Sequence, residues 1–199
     1  MEKPAITEHP IHELLARRWS PRAVDPSRPV PREALLSLLE AARWAPSCFN
    51  GQPWRYLVFD GADAAALERA RDCLRPGNAW ARRAPLLLLS VARDNWERDD
   101  KPNRHSQHDV GLASENLVLQ AVALGLVAHQ MAGFDSAKAK ESFGIPEGFT
   151  PMAMIAIGYA GSIEDLPEEV REREVAPRSR KPLTEIAFAG RWAAPIEPL

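Results

Sequence analysis

A ten-residue stretch at residues 45–54, APSCFNGQPW, concentrates hydrogen-bonding side chains between a predicted helix and a predicted strand. Ser47, Asn50 and Gln52 supply one hydroxyl and two carboxamides. A carboxamide donates and accepts hydrogen bonds at the same time, which suits a planar heterocycle with alternating carbonyl groups and ring nitrogens. A polar turn without a ligand is the simpler interpretation of this stretch alone, so the prediction of a ligand depends on the rest of the chain.

Two clusters of arginine with serine lie near opposite ends of the chain, at residues 17–22 (RRWSPR) and 177–182 (PRSRKP). Guanidinium groups bind phosphate oxygens in bidentate fashion, and serine adds a hydroxyl donor. Each cluster alone also fits a solvated basic turn. A chain of net charge −2 that places arginine in two short turns is consistent with one shared anion site. A phosphate site together with an amide-rich turn predicts flavin mononucleotide (FMN).

Hydrophobic periodicity predicts the elements that position these groups. Helices are predicted over residues 11–17, 32–44, 63–74, 109–126 and 136–143, and strands over residues 54–59, 85–92, 127–131 and 152–157. Four consecutive leucines in residues 85–92 indicate a strand buried on both faces. Asp135 is expected to cap the helix at residues 136–143, and Gly144 to end it.

Two segments allow more than one interpretation. Residues 93–108 are charged and aperiodic, which fits either a lid or a plain solvated excursion. Residues 164–174 predict a short charged helix or an exposed arm, which leads into the second basic turn.

Composition limits the function classes. The 199 residues suffice for one domain, 1–199, and the near-neutral charge gives no general attraction to nucleic acid or membrane. No apolar run approaches the ~20 residues of a membrane span. Two cysteines and five histidines without zinc spacing indicate neither a disulfide framework nor a metal site. We therefore expect a cytoplasmic protein without a metal.

Four motifs resemble the FMN-dependent nitroreductase family: ARRWSPRAVDPSRPV, LEAARWAPSCFNGQPWRYLV, ASENLVLQAVALGLVAHQMAGFD and PRSRKPLTEI. The resemblance extends from about residue 11 to residue 188, and the order and spacing of the motifs make it specific. It implies an α+β fold, an α/β/α sandwich in which helices flank a mixed central sheet. It also implies an intertwined homodimer with two FMN sites at the interface.

The resemblance assigns three groups of residues to FMN. The phosphate and ribityl chain are bound by Arg18, Ser20, Arg22, Arg178 and Arg180, with Arg17 assisting. The flavin ring meets the turn residues Pro46, Ser47, Cys48, Asn50 and Gln52, several of them from the partner chain. The ring also meets the backbone of the strand end at Gln130, Met131, Ala132 and Gly133.

Two residues depart from the family pattern. Cys48 stands where many members have serine, and a thiol is a weak hydrogen-bond donor that is open to oxidation. Ala132 stands where some members carry a glutamate that engages the nicotinamide, which leaves NADH and NADPH both open.

The implied activity is reduction of an oxidised small molecule, such as a nitroaromatic, a quinone or an enone, by NADH or NADPH in a ping-pong mechanism. FMN carries the hydride, so no acid–base side chain is required. Two alternatives keep the fold: dehalogenating or flavin-degrading chemistry, and a non-catalytic flavin-binding redox sensor.

Overall fold

A four-stranded sheet forms the middle layer of the protein. The structure, a computed structural model, describes residues 2–196. The strands are β1 (Trp54–Phe59), β2 (Leu86–Arg93), β3 (Val127–Met131) and β4 (Phe149–Gly158), in the spatial order β1-β2-β4-β3. The helices are α1 (Glu13–Arg17), α2 (Arg32–Arg43), α3 (Ala64–Asp72), α4 (Ser106–Ala123), α5 (Ser136–Phe143) and α6 (Glu168–Val175). Short 3-10 segments include Cys48–Asn50 and Pro76–Arg83.

The leucine-rich strand β2 is buried on both faces, as its sequence predicts. Leu87 and Leu89 pack in a cluster with α3, α5 and the 3-10 segment Pro76–Arg83. Leu86 and Leu88 pack on the other face with α2 and α4. Each face thus carries its own hydrophobic cluster, and the expected α/β/α sandwich is confirmed.

The sheet differs in one detail from the expected mixed sheet, because all three strand pairings are antiparallel among residues 2–196. The connection through α3 joins the neighbours β1 and β2, and the connection through α5 joins the neighbours β3 and β4. Each connection re-enters the sheet at the end where the preceding strand finishes, so the paired strands run in opposite directions.

Helix ends follow local capping chemistry. Asp135 accepts a hydrogen bond from the Lys138 N–H at 2.9 Å, and Gly144 ends α5 with φ of 61°. Both caps were predicted, and the bounds of α5 are those predicted. By contrast, α4 begins at Ser106, three residues before the predicted start at Asp109. Its first turn is polar and carries no apolar periodicity from which an earlier start could be inferred.

The charged segment at residues 93–108 folds back on itself and is anchored at its base. Within it, the Trp96 N–H donates to the Lys101 carbonyl at 2.8 Å. Asp94 holds the base, because its N–H donates to the Gly148 carbonyl at 2.8 Å and its carboxylate accepts from Thr150 Oγ1 at 3.0 Å. Residues 94–103 are therefore a hydrogen-bonded hairpin beside the start of β4, and residues 106–108 belong to α4.

The part of the chain that the structure describes has no helix with the length and apolarity needed to cross a bilayer. Within the same residues, 2–196, no group of three or more His, Cys, Asp or Glu side chains is arranged to hold a metal ion. Cys48 and Cys73 are both free thiols.

Candidate cofactor site

The first basic cluster leaves α1 as an extended turn with Arg18 at its centre. Arg18 Nη1 donates to Ser20 Oγ at 3.4 Å, and Arg18 Nε lies 3.7 Å from a carboxylate oxygen of Glu115 on α4. Burial raises the pKa of Glu115, and the charge of Arg18 lowers it by less. The contact with Glu115 is too long for a hydrogen bond, so the Arg18 guanidinium retains donors for an anion.

The second basic cluster packs directly on the first. Arg178 donates to the carbonyl oxygens of Arg18 at 2.9 Å and Ala16 at 3.0 Å, and also to that of Lys3. Burial lowers the pKa of Arg178, and so do the positive charges of Arg18 and Arg180. Arginines 160 positions apart in the chain thus converge at one place.

The converging arginines have different roles. The guanidinium of Arg178 is committed to backbone carbonyls, so it braces the turn. Arg180 is exposed, and its Nη1 donates only to the carbonyl of the neighbouring Ser179, at 2.7 Å. Arg17 pairs with Glu13 on its own helix at 3.1 Å. Among the described residues, Arg18 and Arg180 are therefore the predicted phosphate ligands whose guanidinium groups are bound neither by a close carboxylate nor by several carbonyls.

Arg22 has a different environment from the one that the sequence predicts. Its Nη1 lies 3.4 Å from a carboxylate oxygen of Glu174, a residue of α6 whose side chain is fully buried. Its Nε is buried without a hydrogen-bond partner among residues 2–196. Arg22 is thus the counter-ion of an internal carboxylate, with one donor still unsatisfied.

The amide-rich turn contains strained backbone. Phe49, Asn50 and Gln52 have φ values of 49°, 54° and 43°, in the left-handed region that non-glycine residues rarely adopt. The Gln52 N–H donates to Ser47 Oγ, and the Gln52 side chain donates to the Asn50 carbonyl, both at 3.1 Å. Strain of this kind persists only where the surroundings impose it, and it is concentrated at functional sites.

Two contacts from other segments hold this turn in place. Asp109, buried near the start of α4, accepts a hydrogen bond from the Cys48 N–H at 3.1 Å. Trp96, from the charged hairpin, packs so closely on Gly51 that a Cβ there would lie 2.7 Å from its ring. Gly51 is therefore required by the approach of an indole side chain, a partner that sequence spacing cannot identify.

The predicted flavin-facing strand end, residues 130–133, consists of the last two residues of β3 and the two that follow. Met131 is buried, Gln130 and Ala132 are exposed, and the Gly133 carbonyl accepts from the Asn78 side chain at 3.0 Å. Asn78 lies so close that a Cβ at Gly133 would approach its nitrogen to 2.5 Å. Small size at this position is thus set by the 3-10 segment that faces it.

His129 links β3 to the extended turn at residues 17–22, hereafter the arginine turn. Its Nδ1 lies 3.1 Å from the Pro21 carbonyl oxygen, and its ring lies 4.7 Å from the ring of Trp80. Burial lowers the pKa of His129 to about 4, and the charge of Arg22 contributes to this shift. A neutral imidazole therefore donates Nδ1–H to Pro21 at neutral pH. The Nε1 of Trp80 is buried without a partner among the described residues.

The structure brings together some of the predicted residues but not all of them. Hydrogen bonds join the arginine turn to the basic turn at residues 177–182 and to His129 of β3, so these three segments form one neighbourhood. No hydrogen bond or ion pair of residues 2–196 joins the turn at 46–52 to that neighbourhood. The two regions meet α4 at different residues, Asp109 and Glu115, which are about 9 Å apart along the helix axis.

Sequence reasoning missed several residues that shape the site, namely Asn78, Trp80, Asp109, His129 and Glu174. A histidine inside the strand sequence VAHQM is a polar interruption that could have drawn attention to His129. Glu174 gave no signal, because it lies in a run of charged residues in which every position looks exposed.

The chain was compared with protein families, curated proteins and solved structures. The nitroreductase family model matches residues 15–159. An uncharacterised 15.4 kDa protein of Mycolicibacterium smegmatis is 39% identical over 138 residues, 68% of this chain and 92% of that protein. The major NAD(P)H-flavin oxidoreductase of Aliivibrio fischeri is 44% identical over 57 residues, 29% of this chain and 26% of its own length.

Among solved structures, an oxidoreductase containing FMN superposes with a TM-score of 0.88 at 39% sequence identity, over 95% of this chain and 96% of its own. The family match spans the amide-rich turn and the end of β3, both of which belong to the geometry described above. The chain belongs to the nitroreductase family.

Proposed function

We propose that this protein is an FMN-dependent NAD(P)H oxidoreductase that reduces an oxidised small molecule, with residues 1–199 acting as one unit. The observation that carries the proposal is the packing of Arg178 on the backbone of Arg18, about 160 residues earlier in the chain, with Arg180 two residues beyond Arg178. Like charges repel, so a cluster of this kind favours a bound anion. The similar oxidoreductase of known structure contains FMN, which supports the choice of anion.

The donor groups fit FMN at both of its ends. Arg18, Ser20 and Arg180 supply a hydroxyl and guanidinium donors for a phosphate, and the buried Nε of Arg22 lacks a partner among residues 2–196. The carboxamides of Asn50 and Gln52 match the alternating donors and acceptors of a flavin ring. His129, the residue before Gln130, connects β3 to the turn at residues 17–22.

When bound, FMN would supply the redox chemistry: hydride uptake from a nicotinamide in one half-reaction and reduction of the acceptor in the other. The protein binds and orients the partners. The arginine cluster fixes the phosphate end, and the strained turn presents amides in a fixed orientation with no reorganisation at the moment of reaction. The hairpin at residues 94–103 borders that turn through Trp96, which supports a role for this hairpin in covering the acceptor.

The functional form is a homodimer in which the turn at residues 46–52 meets the flavin held by the partner's arginine cluster. Two observations support this assignment. Within one chain the turn and the cluster have no polar contact among residues 2–196. Large apolar side chains are also exposed, including Leu15 at 45%, Leu36 at 50% and Trp44 at 75%. Exposed apolar surface of this kind is typical of subunit interfaces.

The test begins with purified protein. We expect a flavin spectrum close to one FMN per chain, bleached anaerobically by NADH or NADPH and restored by a quinone or nitroaromatic. Arg18→Ala and Arg180→Ala should each weaken FMN binding by about 1.5–3 kcal/mol, because each removes a charge-assisted contact. Arg69→Ala, at an exposed arginine of α3, is the matched control and should leave FMN affinity unchanged.

Three results would contradict the proposal. A colourless protein that takes up no added FMN would exclude the cofactor. Bound FMN that neither nicotinamide reduces would exclude the activity. A monomer by light scattering that still retains FMN would exclude the shared site. Separately, comparison of NADH with NADPH in the bleaching assay identifies the reductant.

A further inference from the structure

The peptide group between Pro21 and Arg22 is bound at both of its ends by side chains from distant elements. His129 of β3 lies 3.1 Å from the Pro21 carbonyl oxygen. The Arg22 N–H points at both carboxylate oxygens of Glu174, at 2.8 and 3.0 Å. The next N–H, that of Ala23, donates to Oε1 of Glu174 at 3.2 Å. Residues on β3 and α6 thus fix the orientation of one peptide plane.

Glu174 is committed to this backbone. Its side chain has no exposed area, although it lies on a helix made mostly of charged residues. A buried carboxylate is costly unless it is hydrogen-bonded and paired. Two successive backbone N–H groups and the Arg22 guanidinium meet that requirement, and successive N–H groups of this kind form a concave anion-binding surface.

The arginine turn has few other degrees of freedom. The ring of Pro21 fixes its own φ, and Ser20 is restricted because it precedes a proline. With the next peptide plane clamped by Glu174, the backbone on both sides of Pro21 is determined. Ser20 belongs to this stiffened segment, and Arg18, two residues before it, donates from Nη1 to the Ser20 hydroxyl at 3.4 Å.

We propose that Glu174 is a positioning residue for cofactor binding. Its carboxylate holds the backbone of residues 20–23 so that Ser20, and Arg18 through its hydrogen bond to Ser20, bind the phosphate of FMN without further ordering. This inference rests on the proposed function. A preorganised site avoids the entropy that ordering a loop costs on binding. Because Glu174 acts through the phosphate ligands, its loss affects FMN but spares riboflavin, which has the same ring and no phosphate.

The experiment compares FMN and riboflavin on the apoprotein by flavin fluorescence titration. Glu174→Gln keeps the size of the side chain but removes its charge and turns an NH2 group towards backbone donors. We expect the Kd for FMN to rise at least about tenfold, which corresponds to about 1.4 kcal/mol, while the Kd for riboflavin stays constant. Glu172→Gln, at an exposed glutamate of the same helix, is the control and should change neither Kd.

Each outcome decides a different question. If the unsubstituted protein binds no FMN, the proposed function fails whatever Glu174 does. If it binds FMN, and Glu174→Gln weakens both ligands equally or neither, Glu174 is only a structural residue and the inference is overturned. Should Glu174→Gln not fold, Glu174→Asp is titrated in the same way. Where riboflavin binding is too weak to measure, the inhibition constant of inorganic phosphate against FMN is measured instead; a higher constant in the variant supports the inference, and an unchanged constant overturns it.

Discussion

Acidification is expected to destabilise the fold through His129. Burial lowers the pKa of this histidine from 6.5 to about 4. Since the folded protein resists protonation and the unfolded chain accepts the proton near pH 6.5, the stability that the neutral ring contributes is complete above that pH. It is lost as the pH falls from about 6.5 towards 4. A difference of 2.5 between the two pKa values, at 1.36 kcal/mol each, corresponds to about 3 kcal/mol.

The physical cause is the immediate environment of the imidazole ring. Trp80 lies 4.7 Å from it, and the positive charges of Arg22 and Arg173 oppose a further cation. The hydrogen bond to the Pro21 carbonyl favours the protonated ring and partly offsets these effects. Protonation therefore places an extra charge directly beneath the arginine turn.

The assay is urea unfolding of the apoprotein at several pH values between about 7.5 and 4. Carboxylates also titrate in this range, so the quantity of interest is the difference in free energy of unfolding between the natural protein and His129→Asn. Asparagine keeps an N–H donor for Pro21 but cannot be charged. We expect that difference to fall by about 3 kcal/mol from the high to the low end of the range. His9→Asn, at an exposed histidine, is the control, and parallel curves for all three proteins would refute the reasoning.

Two further predictions concern local structure. Asp135→Ala removes the hydrogen bond to the Lys138 N–H and should lower the free energy of unfolding by about 1 kcal/mol, measured by urea denaturation. Gly51→Ala places a methyl group about 2.7 Å from the ring of Trp96 and should lower the free energy of unfolding by about 1–3 kcal/mol. In a double-mutant cycle, adding Trp96→Ala should recover part of that loss. Strictly additive effects of the two substitutions would exclude the contact.

Periodicity predicted most of the fold because the core repeats are regular. The four leucines of β2 are buried on both faces, and α5 has the predicted bounds with Asp135 and Gly144 as its caps. The start of α4 was missed because its first turn is polar. The charged helix α6 was one of two interpretations, and the exposed-arm alternative is wrong at Glu174, which is fully buried.

The predicted site was harder to assign because its contacts are long-range. The types and spacing of Arg18, Ser20 and Arg22 indicate a phosphate ligand, but the carboxylate that captures Arg22 comes from 152 residues later in the chain. The link from His129 to Pro21 spans 108 residues. Local composition carries no information about such partners, so it can identify a basic turn without showing which of its arginines is free to bind a ligand.

The positions of the carboxylate counter-ions show, better than the sequence motif does, which arginines of the first cluster are free to bind an anion. Glu13 pairs with Arg17 and Glu174 with Arg22, so two of the three arginines in the first cluster are neutralised inside the chain. Among residues 2–196, Arg18 has one carboxylate neighbour, Glu115, at 3.7 Å and with 45% of its side chain exposed, although the guanidinium of Arg178 packs on the Arg18 carbonyl. A surplus of positive charge held by backbone hydrogen bonds is unfavourable without an anion. The positive charge that remains on Arg18 therefore favours the proposed phosphate site over a solvated turn.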